Sequence, residues 1–241
     1  NSDAGVDLTI LGVTNDATDI TVTLKFNSNW DGVHLATLYE THGDANGGLA
    51  DPFGFPINYR HANAPDYCFT YKYAADDYSD LRRHTGSEWE HYDFALGEWR
   101  IGWAEGVNGV AQGLTTKNAT EAIIRVPLSV IEASPGDTVR LEVYLMQEAD
   151  GEKRAALDSV PQDATHDMVP DTGEWWETAT TPVTLTNYTT YVVREEGDAP
   201  ALTNGLALPS PAAPGDLVIY TVDVTDTGGG IGDVFLNLSP I

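Results

Sequence analysis

Apolar and polar residues alternate along most of this chain. Ile20, Val22, Leu24 and Phe26 fall on one side of a run whose other side is Asp19, Thr21, Thr23 and Lys25. Tyr67, Phe69, Tyr71 and Tyr73 share a face, as do Trp99, Ile101 and Trp103. Val139, Leu141, Val143 and Leu145 alternate with Arg140, Glu142, Tyr144 and Met146, and Val183 and Leu185 lead into Tyr191 and Val193. A period of two is that of a strand with one face buried. Turn sequences such as Asn29-Trp30-Asp31-Gly32 and Ser134-Pro135-Gly136-Asp137 separate the runs. Only residues 127–133 and 75–83 offer a helical turn. The pattern predicts an all-β chain folded as an antiparallel β-sandwich.

Two stretches interrupt the rhythm. Residues 41–66 are rich in Gly, Pro, Asn and Asp, and residues 158–176 carry Asp163, His166, Asp167 and Asp171 ahead of Trp175-Trp176. Loops of this length in a compact domain are usually functional or mobile. Pro200, Pro209, Pro211 and Pro214 make 196–216 read as a semi-stiff linker, so the sandwich is placed at 1–195 and a partial second domain at 217–241. There Val218, Tyr220, Val222 and Val224 form one apolar stripe, and Val234, Leu236 and Leu238 a second across a Gly-rich turn. A lone hairpin is marginal in water. These stripes are therefore expected to be covered by further sequence, by the preceding domain, or by strand addition from another chain, with Val218, Tyr220, Val222, Val224, Val234 and Leu236 as the interface.

Charge narrows the partners. The net charge of −25 comes from 37 acidic against 12 basic residues. A field of that sign repels nucleic acid and anionic lipid. It suits high salt, a calcium-rich exterior, or a surface that must stay soluble. No run reaches the roughly 18 apolar residues of a membrane span. The single cysteine, Cys68, lies in a strand-like run and reads as a small buried residue, and no intrachain disulfide is possible. Asn118, Asn187 and Asn237 head N-x-S/T sequences, in keeping with an exterior location.

The six tryptophans, Trp30, Trp89, Trp99, Trp103, Trp175 and Trp176, are the leading candidates for a binding role. Sugar rings stack their C–H faces on aromatic platforms, while Trp on a strand equally fills a core. Trp99 and Trp103 fit the core reading. Trp30, in a turn, and Trp175 and Trp176, adjacent and so facing opposite ways on a strand, fit exposure. With Tyr59 they form the expected sugar platform. Asp44, Asp51, Asp76, Asp77 and Asp80 are candidate hard-oxygen ligands for calcium, against the alternative of a solvated acidic surface. No EF-hand, HExxH, G-x-S-x-G or phosphate-binding glycine loop occurs, and no catalytic residue is expected.

Several segments then look familiar together: Asn29-Trp30-Asp31-Gly32, Trp99-Arg100-Ile101-Gly102-Trp103-Ala104-Glu105-Gly106, Ile124-Arg125-Val126-Pro127-Leu128-Ser129-Val130-Ile131 and Leu141-Glu142-Val143-Tyr144-Leu145. The combination resembles the DOMON-like β-sandwich modules beside catalytic domains in secreted amylases, pullulanases and glucodextranases, and family-9 carbohydrate-binding modules. The segment after Pro214 resembles the opening strands of an immunoglobulin-like surface domain. The resemblance implies a non-catalytic, extracellular or cell-surface carbohydrate-binding module with a glycan as partner. Haem, bound by some of these modules, is not expected, because only Met146 and Met168 offer thioethers. The alternative is a structural subunit of a filament or surface layer that self-associates through the terminal strands.

Overall fold

A computed structural model of the chain describes residues 8–27, 33–72, 78–101, 115–149, 152–161, 182–195, 201–208 and 219–225. Its contacts divide the chain into two compact units, Asn1–Val193 and Arg194–Ile241. The described residues are all-β, in a sandwich-like arrangement of antiparallel sheets.

In the first unit, β1 (Leu8–Asn15), β2 (Asp19–Phe26), β10 (Glu121–Pro127) and β9 (Thr115–Asn118) lie side by side in a four-stranded sheet. The facing eight-stranded sheet runs β12 (Glu152–Val160), β11 (Thr138–Ala149), β3 (Val33–Glu40), β5 (Tyr67–Lys72), β6 (Tyr78–His84), β7 (Trp89–Asp93) and β8 (Glu98–Arg100). Its eighth strand, β14 (Thr189–Val192), pairs with the start of β11. The alternation read from the sequence sets the interface. Ile20, Val22, Leu24 and Phe26 of β2 and Ala122, Ile124 and Val126 of β10 meet Leu35, Tyr39, Phe69, Leu141 and Val143 in one buried cluster.

The opposite face of the eight-stranded sheet is buried as well. Every residue of β3 is buried, although antiparallel sheets commonly leave one face wet. The cover is the stretch 41–66, which the sequence presented as a long irregular loop. It holds β4 (Ile57–Tyr59), paired in parallel with β13 (Val183–Leu185). Phe55, Ile57, Tyr59, Val183 and Leu185 pack on Ala36, Leu38, Cys68, Tyr144 and Met146. Cys68 is a free, buried thiol, as its strand position suggested. Each fully buried aliphatic or aromatic side chain is worth about 1.5–3 kcal/mol. The two clusters therefore outweigh the surface ion pairs, at up to about 1 kcal/mol each.

Three expectations change and one holds. Residues 75–83 do not turn helically where described: 78–84 is strand β6, whose Leu81 enters the main core. Residues 127–133 do make a single turn, with Ile131 N donating to Pro127 O and Ala133 N to Leu128 O. The shared core face of Trp99, Ile101 and Trp103 is not kept, since β8 ends at Arg100 and leaves Ile101 67% exposed with Trp99 half-buried, while Trp103 lies outside the described residues. The stretch 196–216, read as a spacer, contains β15 (Ala201–Leu208), which pairs with β16 (Ile219–Thr225) in a two-stranded antiparallel sheet within the second unit. The prolines that suggested a linker flank this strand rather than interrupt it. Tyr220 and Val224 thus pair upstream, with Ala207 and Leu202. Val218, Val234 and Leu236 lie outside the described residues.

Candidate functional site

Three strands of the large sheet reach one end together. β3 stops at Glu40, Asp66 immediately precedes β5, and β6 closes on Arg83 and His84. An open pocket of about 470 Å³ lies there, lined by His42, Asp44, Asn46, Asp66, Arg83, His84, Thr85 and Gly86. The lining is polar because it is made where the strands turn.

Asp66 organises the pocket. Its carboxylate accepts the backbone N–H of Thr41 at 2.8 Å and of His42 at 3.1 Å, and faces His42 Nδ1 at 3.1 Å. The other imidazole nitrogen, Nε2, faces Glu132 Oε2 at 3.3 Å. Glu132 ends the turn after β10 in the left-handed region, with φ 55°. Burial works against charge on His42, but Asp66 and Glu132 outweigh it and raise its pKa above the usual value. Arg83 reaches Glu90 at 2.7 Å and Glu132 at 3.7 Å, and its guanidinium lies 4.6 Å from the ring centre of half-buried Trp99. His84 Nδ1 is 2.9 Å from Asn46 O and 3.2 Å from Gly86 N, so its tautomer selects which of the two it bonds. The His84 ring meets half-buried Trp89 edge-on at 5.1 Å. Asp44 accepts the backbone and side-chain N–H groups of Asn46, and the backbone bond first of all lowers its pKa. Thr85 Oγ1 is held in its own turn by Glu88 and Ser87. Planar donors and acceptors thus line the pocket, with two indoles directly behind them.

A second polar centre is closed. His61 Nε2 lies 2.6 Å from Glu142 Oε2 and 3.1 Å from Asn187 O, with both side chains of the pair fully buried. Two acceptors around one nitrogen place a proton on Nε2. Tyr188 stacks on His61 at 3.9 Å and donates its hydroxyl to Asn63 O. This centre ties residues 60–63 and 186–188 to β11 and is a fastening of the covering layer.

Of the residues singled out from sequence, Trp30, Trp175, Trp176, Asp76 and Asp77 lie outside the described residues. Tyr59 is no sugar platform: it is fully buried, and its hydroxyl bonds Tyr144 OH at 2.6 Å. Asp51, proposed for calcium, is buried and accepts from Phe53 N at 2.8 Å, Phe55 N at 3.1 Å and Tyr144 OH at 2.7 Å. Asp80 is buried in an ion pair with Arg82 at 2.8 Å, and burial raises its pKa despite that partner. Among the described residues of this set, only Asp44 reaches the pocket. Among the described residues, no group of three His, Cys, Asp or Glu side chains is arranged to hold a metal ion. His42 and His61, neighbours in the same stretch, serve separate centres. Glu132, Glu90 and Arg83 carried no sequence signal, because their roles come from long-range packing.

The fold defines an all-β, sandwich-like protein with an open polar pocket at one end of its larger sheet. No family model, curated protein or solved structure matches the chain. Among the described residues, no helix is long and apolar enough to cross a membrane.

Proposed function

We propose that this chain is a non-catalytic carbohydrate-binding module of a multidomain secreted or cell-surface protein, and that the pocket at the ends of β3, β5 and β6 takes the sugar. One observation carries this reading: Asp44, Asn46, Asp66, Arg83 and His84 converge on an open space of about 470 Å³. That volume falls within the roughly 300–1,000 Å³ of small-molecule sites. Hydroxyls arranged around a sugar ring want such a mixture of carboxylate, amide, guanidinium and imidazole. Trp30, Trp175 and Trp176 remain the stacking candidates.

The test is affinity electrophoresis and calorimetry of the chain against a panel of α- and β-glucans, xylans and mannans. Binding to at least one is expected. It should weaken tenfold or more in Asp44→Ala and Arg83→Ala, and in at least one of Trp30→Ala, Trp175→Ala and Trp176→Ala. If no member of the panel binds, the reading fails.

A second reading, a structural subunit that self-associates by strand addition, is favoured by the β15–β16 pair, a two-stranded sheet in a unit of its own. Its test is deletion of residues 194–241, since a cut after Pro214 would split the pair. Loss of higher-order assembly in light scattering, with the sandwich still folded, would put this reading first. Unchanged assembly would remove it.

A further inference from the structure

The tight turn between β9 and β10 carries Asn118-Ala119-Thr120, at the edge of the four-stranded sheet. We infer that Asn118 is an attachment site for an N-linked glycan, favoured over Asn187. The inference rests on the proposed exterior location, because the sugar donor and its transferase act on chains that leave the cytoplasm.

Accessibility is the first ground. Asn118, Ala119 and Thr120 are all exposed, and Asn118 pairs with Glu121 across a two-residue connection that projects from the sheet. Loop tips of this kind are where folded chains admit another enzyme. Local geometry is the second. Thr120 N donates to Asn118 Oδ1 at 3.0 Å, and Thr120 Oγ1 lies 3.5 Å from the same oxygen. The threonine hydroxyl that the N-x-T sequence requires therefore already sits beside the carboxamide. Donors on Oδ1 draw electron density from the amide and make the Nδ2 protons more acidic.

The step balances with a polyprenyl-phosphate-linked or pyrophosphate-linked oligosaccharide as co-reactant. Asn118 Nδ2 attacks the anomeric carbon. The N–C bond forms as the C–O bond to phosphate breaks, and the lipid phosphate leaves with the electron pair. The amide proton passes to a carboxylate of the transferase.

Asn187-Tyr188-Thr189 makes the contrast. The carbonyl of Asn187 accepts from buried His61, Tyr188 is stacked on that ring, and Thr189 pairs with Leu141 in β14. Asn187 is exposed, but each of the three residues is held by a contact of the covering layer or of β11. At Asn118 a glycan would also screen β9, an edge strand, from pairing with another sheet edge.

The test is to secrete the full chain from a eukaryotic host alongside a reporter with a known glycosylated sequence. The purified chain is treated with peptide-N-glycosidase in heavy-oxygen water, and its peptides are weighed. Conversion of Asn118 to labelled aspartate is expected in most molecules and several-fold less often at Asn187. It should vanish in Asn118→Gln and in Thr120→Ala, both surface changes expected to leave the melting temperature in place. A secreted chain with Asn118 unmodified beside a glycosylated reporter overturns the inference. Occupancy at Asn187 equal to that at Asn118 overturns the preference. Neither result touches the carbohydrate-binding reading, which is decided by ligand binding.

Discussion

At the residue scale, Asp51 shows how one carboxylate fastens a whole layer. It accepts two backbone N–H groups of its own turn and the hydroxyl of Tyr144 from β11, the Phe55 and Tyr144 bonds buried and the Phe53 bond partly so. Tyr144→Phe removes one bond to Asp51 and one to Tyr59, and should cost about 1–2 kcal/mol in urea unfolding. Asp51→Ala strands three donors and should cost more, roughly 3 kcal/mol or above. Equal, small losses would mean the cluster is not closed to water. His42 supplies the pH dependence. Its folded pKa is raised, so its contribution is fully present below the unfolded value of about 6.5 and is lost as pH climbs through the raised value. Melting temperature should therefore decline as pH rises above about 6.5, and His42→Gln should flatten that part of the profile. A profile identical to that of the unsubstituted chain would show that the flanking carboxylates do not hold the imidazolium.

At the element scale, the stretch 41–66 packs as a layer because glycine lets its backbone approach other backbone at Gly47 and the Trp89 ring at Gly48. A Cβ on Gly47 would lie 2.3 Å from Pro65 O and 2.5 Å from Ala64 O, and one on Gly48 would lie 1.9 Å from Cζ2 of Trp89. Gly43, with φ 74° and open space around it, needs glycine only for its backbone. Gly47→Ala should lose about 2–4 kcal/mol by prising the stretch apart at Ala64 and Pro65, and Gly48→Ala a similar amount by pushing it off Trp89 of β7. Gly43→Ala should lose about 1 kcal/mol through backbone strain alone. Denaturant midpoints decide it: three equal, small effects would mean that the layer is loosely packed.

At the scale of the whole molecule, the charge of −25 opposes compaction. Surface pairing offsets little of it, since exposed ion pairs are weak. Salt shortens the Debye length from about 10 Å at 0.1 M to about 3 Å at 1 M. Melting temperature should therefore rise by several degrees across that range, as read by differential scanning fluorimetry. An unchanged value would show that the acids are spaced widely enough not to repel.

The sequence by itself determined the strand class and the inward faces of β2, β5 and β11, the turn at 127–133, and the burial of Cys68. Those are local properties: a period of two assigns each side chain to a face whatever the sheet later packs on. Tertiary structure decided what covers the second face of the large sheet, and with it the fates of Tyr59, Asp51 and Asp80. A Gly-, Pro- and Asp-rich run has the same composition whether it is mobile or packed. It also decided that His42 meets Asp66 and Glu132, which lie 24 and 90 positions away, and that β16 pairs upstream with β15. Such partners are chosen by the closing of the sandwich and the alignment of strand ends. No periodicity within a segment records either.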